Sequence, residues 1–346
     1  MMLSYISVVL SLSVNDISET TYPQILCCYW AYKSVANGVV VTRLQKESQL
    51  MSNFIIRVAN SEDQVAVADL CRRELLPADT TDNAGLDRLL WHTSSIFGYV
   101  AESKEIIVGA IFGSTTQEDD GSISGSIALI VVDANQTRQG IGTALLAGLE
   151  LKLHSLQANE IWTGGGQPRF WWPGIDENLP GVINFFENAG YAREETVANM
   201  RVTFENADLE PRSTGRTLIC RLTKAEWPVF REWMDRTWKG QWGAEVETTL
   251  NRSPISCFVA SLDNEYIGFA AYDTNRLGLF GPMGTSPLAR GTGLGSELLR
   301  HCLREYIDQG KPDCDIGWVG PMEFYEKAVG ASVSSSFARL RKVWKS

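Results

Sequence analysis

From Phe54 onward, short apolar runs alternate with segments whose apolar residues recur every three or four positions. The first pattern predicts strands and the second helices. Strands are expected over 54–58, 96–102, 106–112 and 126–132. The last contains Ile127-Ala-Leu-Ile-Val-Val, an unbroken run that suits a strand buried on both faces. Ser61-Glu-Asp-Gln opens a helix to about 76 with the look of a capping box. A glycine-punctuated loop ending at Gly142 feeds a second helix to about 156. A strand at 160–163, a helix at 181–188 and closing strands at 193–195 and 199–204 complete the unit. The stretch 206–215 is polar, contains Pro211, Ser213 and Gly215, and reads as a linker. After it the order recurs: a strand at 218–221, helices at 224–237 and 244–250, and strands at 257–262, 266–272 and 277–283. A loop into a helix reaching 309, a strand at 315–319 and a short helix at 323–328 follow. Gly140 and Gly293 occupy matching places 153 positions apart, and two copies of one order imply duplication. The expected architecture is α/β (α+β), with domains at 54–206 and 216–346 joined by a linker at 207–215.

The first fifty residues break this pattern. Met2 to Val14 is apolar but too short and too serine-rich to span a bilayer, and no Lys or Arg precedes Lys33 as a secretory signal would need. Met51 offers a second start just before the first strand, so 1–53 is expected to lie outside the fold as an N-terminal extension. At 346 residues, 44% hydrophobic and 21% charged, the chain has the size and apolar content for about two packed domains. A net charge of −10 and a pI near 5.0 argue against general nucleic-acid or anionic-membrane partners, which require clustered Lys and Arg. Seven cysteines without a CxxC pair fit reduced thiols and a cytoplasmic location. His92, His154 and His301 lack partners at ligand spacing, so no metal is expected.

The candidate chemistry lies in the two loops. Glycine at a strand-to-helix junction lets backbone approach a ligand, and the first free N–H groups of the helix, with its dipole, suit a phosphate or pyrophosphate. A Walker loop would need Gly-Lys-Ser/Thr, which neither loop has. A dinucleotide fingerprint would follow the first strand of a parallel sheet, whereas both loops follow the fourth strand of their unit, and Gly291-Thr-Gly-Leu-Gly-Ser breaks its spacing. What remains, Arg/Gln-x-x-Gly-x-Gly/Ala after a central strand, resembles motif A of the GNAT (GCN5-related) N-acetyltransferases. Arg290-Gly-Thr-Gly-Leu-Gly matches it fully, whereas Thr137-Arg-Gln-Gly-Ile-Gly keeps the glycines with Thr137 where Arg or Gln is usual.

The resemblance covers nearly all of 54–346 and implies two tandem GNAT folds, each a mixed, strongly twisted sheet flanked by helices. It implies acetyl-CoA as co-substrate and direct acetyl transfer to an amine. Cofactor contacts then fall on Ile130, Val131, Val132, Arg138, Gln139, Gly140, Ile141, Gly142 and Thr143 in the first copy. In the second they fall on Met283, Gly284, Thr285, Arg290, Gly291, Thr292, Gly293, Leu294, Gly295 and Ser296. Glu323-Phe-Tyr-Glu-Lys is similar to the family's Phe-Tyr-Glu-Lys segment, which implies that Tyr325 protonates the departing thiolate; packing of an amphipathic tyrosine is the alternative. Phe186 stands at the matching place in the first copy and has no proton to give, so the copies have diverged.

The first copy also carries about fourteen extra residues between its loop and Phe185, rich in aromatics at Phe170, Trp171 and Trp172. With Arg169, Asp176 and Glu177 these could form a stacking wall with polar anchors for an amino sugar. Equally, they could plug the interface between the halves. Trp233, Trp238 and Trp242 form a second cluster near the first helices of the other copy, where core or interface roles compete with a substrate role. The expected partner is a small-molecule primary amine. An acyl-CoA-binding protein without chemistry, or a protein or peptide N-acetyltransferase, are the other readings.

Overall fold

The computed structural model describes residues 39–40, 54–75, 82–93, 95–118, 120–166, 169–205, 209–212, 215–238 and 242–344. The extension over 1–53, apart from Val39–Val40, and part of the 207–215 linker lie outside the described residues.

In the first half the chain forms β1 (Val39–Val40), β2 (Ile55–Val58), α1 (Gln64–Glu74), α2 (Asn83–Trp91), β3 (Ile96–Ser103), β4 (Ile106–Gln117) and β5 (Ile123–Val132). Then come α3 (Ile141–Ser155), β6 (Glu160–Thr163), β7 (Ile175–Asp176), α4 (Pro180–Asn188) and β8 (Ala192–Thr203). The second half repeats the plan with β9 (Leu218–Arg221), α5 (Trp227–Thr237), α6 (Trp242–Glu247), β10 (Cys257–Leu262), β11 (Glu265–Tyr272) and β12 (Leu279–Thr285). It ends in α7 (Leu294–Asp308), β13 (Asp313–Ile316), α8 (Met322–Val329) and β14 (Ser332–Val343).

Local chemistry accounts for most of these elements. The β3–β4 and β10–β11 hairpins turn through Lys104–Glu105 and Asp263–Asn264, all four with positive φ, the two-residue geometry that matches strand twist. In α7, Leu294, Leu298, Leu299, Cys302, Leu303 and Tyr306 are buried at helical spacing, a broad apolar stripe laid on the sheet. That helix sits close because Gly268 faces it: a Cβ there would lie 3.0 Å from the Leu298 side chain. Gly109 serves α3 in the same way, 3.0 Å from Ile141 and Leu145.

All strands join one sheet in the order β1-β2-β3-β4-β5-β6-β14-β8-β13-β12-β11-β10-β9, with β7 also on β14. Each half's last strand is exchanged. β14 lies between β6 of the first half and β8, while β8 lies between β14 and β13 of the second. The sheet is covered on both faces, by α1 and α2 against α3 and α4 in the first half and by α5 and α6 against α7 and α8 in the second.

The sequence pattern predicts two closing strands where β8 runs unbroken, and it misses β14 and α2. The expected break at 196–198 is paired instead, Thr196, Val197 and Ala198 with Ala338, Phe337 and Ser336 of β14, and Arg341 and Arg339 of β14 reach Glu194 and Glu195 across the same ladder. In β14 a serine run and alternating basic residues mask the strand period, and in α2 the cap is an aspartate, Asp82, that accepts from Gly85 N. No helix of the described residues is long and apolar enough to cross a membrane.

Candidate active site

The two glycine loops adopt the same backbone. Gly140 (φ 85°) is the N-cap of α3 and Gly293 (φ 86°) that of α7, and neither helix has a side-chain cap. Their first N–H groups are therefore left to an external acceptor, and an anion there also meets the positive end of the helix dipole. Gly291 (φ 76°) is also left-handed, and Arg138 holds the matching position at φ 62° without a glycine's freedom.

Next to each loop the sheet opens. β12 pairs with β13 only through Leu279 and Phe280, and the Gly317 N–H to Phe280 carbonyl bond follows. Beyond that point Met283, Gly284 and Thr285 keep β11 as their strand partner and face a gap on the other side. In the first half β5 and β6 part after Ile127, which leaves Ile130, Val131 and Val132 in the same situation.

In the second half the gap widens into a cavity of about 940 Å³. Of the residues expected to hold the cofactor, Met283, Gly284, Thr285, Arg290, Gly291, Gly293, Leu294, Gly295 and Ser296 line it. Thr292 does not; its hydroxyl donates to the Ala289 carbonyl at 2.7 Å. The first-half set, Ile130, Val131, Val132, Arg138, Gln139, Gly140, Ile141, Gly142 and Thr143, is absent from this lining. There Ile141, the first residue of α3, is buried, and Val131 belongs to the same core cluster as Trp171.

Tyr325 lines the cavity, 7% exposed, its ring held edge-on by Phe324 and Phe280. Its hydroxyl has no hydrogen bond to a described residue, and burial pushes its pKa up, so the phenol stays protonated. Phe186 fills the matching place in the first half and is buried against Phe185 and Tyr191.

The sequence pattern does not single out the carboxylate here. Glu245, on α6, lines the same cavity with its side chain out of water. Burial pushes its pKa up to about 7 even though Asn275 Nδ2 donates to its Oε2 at 2.7 Å, a bond that pulls the other way. An acid at a buried position of a six-residue helix was the available signal, and it is weak without knowing which face is inside. Trp238 and Trp242 also line the cavity and lie over Gly284, where a Cβ would come within 2.8 and 2.9 Å of their rings. Trp233 instead belongs to the core beneath α5.

The five candidate substrate residues of the insertion go to different places, and none lines the cavity. Trp171 is buried in the core under α1 and α2, with Trp172 at its edge. Arg169 donates to the carbonyls of Gly85, Thr274 and Asn275, which joins the halves; burial, with Arg88 nearby, brings its pKa down to about 10, still charged at neutral pH. Asp176 accepts from Asn178 N, and Glu177 pairs with Arg193. Among the described residues of the insertion, Phe170 is the one that lines the cavity.

The acetyltransferase (GNAT) family profile matches residues 65–191 and 222–330. Among curated proteins none matches. Among solved structures, the chain is similar to the GCN5-related glucosamine N-acetyltransferase region of a fungal multi-domain GH3 β-N-acetylglucosaminidase, at 18% identity and a TM-score of 0.71. That match covers 86% of this chain and 39% of the fungal one, so this chain spans well under half of that protein. A tandem GNAT protein from the clavulanic acid biosynthesis pathway matches at 15% identity and a TM-score of 0.63, over 85% of this chain and 99% of that one. A GCN5-related N-acetyltransferase from Sphaerobacter thermophilus matches at 14% identity and a TM-score of 0.59, over 85% and 96%. At these identities the likeness establishes the fold, a tandem pair of GNAT units.

Proposed function

Because the chain belongs to the GNAT acetyltransferase family, matched over residues 65–191 and 222–330, we propose that its second half transfers an acetyl group from acetyl-CoA directly to a primary amine of a small molecule. An amino sugar is the leading acceptor class, and the first half is non-catalytic. One observation carries this reading: a single cavity joins the uncapped end of α7 and the open edge of β12 to Tyr325 and Glu245.

In this reading the N–H groups at Leu294, Gly295 and Ser296 take the CoA pyrophosphate, and Arg290 adds positive charge. The thioester lies along the open edge of β12. A free amine attacks its carbonyl, the C–N bond forms, and the nitrogen gives up a proton to the Glu245 carboxylate. The C–S bond breaks, and the thiolate takes the proton of Tyr325, which is restored from solvent. A carboxylate titrating near neutrality is matched to the base role, and positioning of the two substrates supplies much of the remaining acceleration. Support for the amino sugar comes from the aromatic walls beside Glu245 and from the fungal relative, whose region is described as a glucosamine N-acetyltransferase.

The non-catalytic role of the first half rests on Phe186 at the place of Tyr325 and on a first-half loop that does not reach the cavity. Release of free CoA thiol from acetyl-CoA, with glucosamine first and then a panel of small amines and peptides, tests the whole reading. Thiol release that depends on a small amine is expected. No release with any amine would overturn it, and release with peptides alone would replace the acceptor class.

A further inference from the structure

Among the described residues, the cavity walls around Glu245 come from the second half with one exception. Phe170 belongs to the insertion of the first half, more than sixty residues earlier in the chain than any other lining residue. It is 7% exposed and meets Trp318 edge-to-face at 5.2 Å. Its position is fixed from both sides. Trp171, the next residue, is buried in the first half's own core. Arg169, the residue before, is tied to the carbonyls of Gly85, Thr274 and Asn275. The Phe170 N–H itself donates to Asn275 Oδ1 at 3.3 Å, while the amide nitrogen of the same Asn275 donates to Glu245. One side-chain amide thus couples the insertion to the carboxylate.

On the reading above, we propose that the first half's insertion completes the acceptor pocket of the second half, with Phe170 as a specificity-determining wall and Asn275 as the positioning residue for Glu245. The insertion is then a strap with two jobs: its tryptophans fill the first half, and its phenylalanine shapes the other half's site. The chemistry of the pocket defines the class of acceptor. Phe170, Trp238, Trp242 and Trp318 offer flat apolar faces, and Glu245 is the one carboxylate among the described lining residues. Aromatic faces take the C–H side of a ring and the acid takes one amine. A ring-shaped monoamine, such as an amino sugar, fits this set; a polycation or an acidic amine does not.

The test is steady-state kinetics on the full chain with glucosamine and cyclohexylamine as probe amines. Phe170→Ala is expected to raise the amine KM at least tenfold while the acetyl-CoA KM stays within twofold. Phe170→Leu, which keeps most of the apolar bulk and protects the fold, is expected to give a smaller change in the same direction. Asn275→Ala is expected to lower kcat more than it changes either KM, because it frees the carboxylate rather than the wall. If wild type turns over but the Phe170 variants leave the amine KM unchanged, or move both KM values together, the strap proposal is overturned and the acetyltransferase reading stands. If wild type releases no thiol with either probe or any other amine, the reading falls and takes the proposal with it.

Discussion

Glu245 shows how burial sets the work a residue can do. Out of water, with one hydrogen bond from Asn275, its carboxyl is pushed up to about 7. If Glu245 is the base of the proposed reaction, it is lost as the pH falls, so kcat should decline tenfold per unit below about pH 7. Asn275 lowers that pKa, so Asn275→Ala should move the acid limb of the kcat profile to higher pH. The same shift acts on stability. Between its unfolded value of 4.5 and about 7 the folded chain holds a proton that the unfolded chain has lost. Its contribution is therefore fully present below pH 4.5 and is lost as the pH rises through 7. Glu245→Gln should accordingly be more stable than wild type at pH 8, by about 3 kcal/mol at most, with the gain vanishing near pH 4.5 in urea titrations at the two pH values. In the proposed mechanism Tyr325 acts at a different step. Tyr325→Phe should lower kcat about a hundredfold, the scale of a lost general acid, and leave the acetyl-CoA KM nearly as it was. A fall in kcat of less than threefold would assign Tyr325 to packing. Sequence marked Tyr325 through a motif but passed over Glu245, because no local pattern says that this acid faces inward.

At the scale of elements, the loop-to-helix junctions carry their own instructions. Gly293 has φ 86° and nothing within 4 Å of where a Cβ would be, so the cost of Gly293→Ala is backbone strain alone, about 1–2 kcal/mol. The acetyl-CoA KM should rise with it, since the strained residue caps the N–H groups that would meet the pyrophosphate. Gly140→Ala meets the same geometry and should show the same loss of stability in denaturant unfolding. These junctions are readable in advance because glycine at positive φ and an uncapped helix start are properties of adjacent residues. The insertion is different. Its aromatic content is plain in the sequence, but which aromatic faces which half depends on contacts with residues a hundred positions away.

The whole molecule is held by exchanged strands. β8 and β14 lie side by side at the centre of the sheet, each between the other and a strand of the opposite half. Salt bridges tie β14 to both neighbours, Arg341 to Glu160 of β6, and Arg341 to Glu194 and Arg339 to Glu195 of β8. Cutting the chain between the halves removes none of this pairing. A protease site engineered between Arg212 and Gly215, once cleaved, should therefore leave one particle in size-exclusion chromatography and one cooperative unfolding transition. Separation of the two fragments without denaturant would show that the exchange contributes little. The exchange also gives a physical reason for keeping a first half whose loop stays outside the cavity: it supplies β8 to the second half's sheet and Phe170 to its cavity.

By itself the sequence determined the repeated order of elements, the two glycine loops and the divergence of Tyr325 from Phe186. All of these depend on neighbouring residues, on periodicity or on side-chain identity, and such information is local. The tertiary structure alone decided that the last strands cross over, that Glu245 is buried beside the cavity, and that Phe170, not its tryptophan neighbours, enters it. These outcomes depend on which distant surfaces come to exclude water from one another, and burial of that kind is a property of the assembled fold.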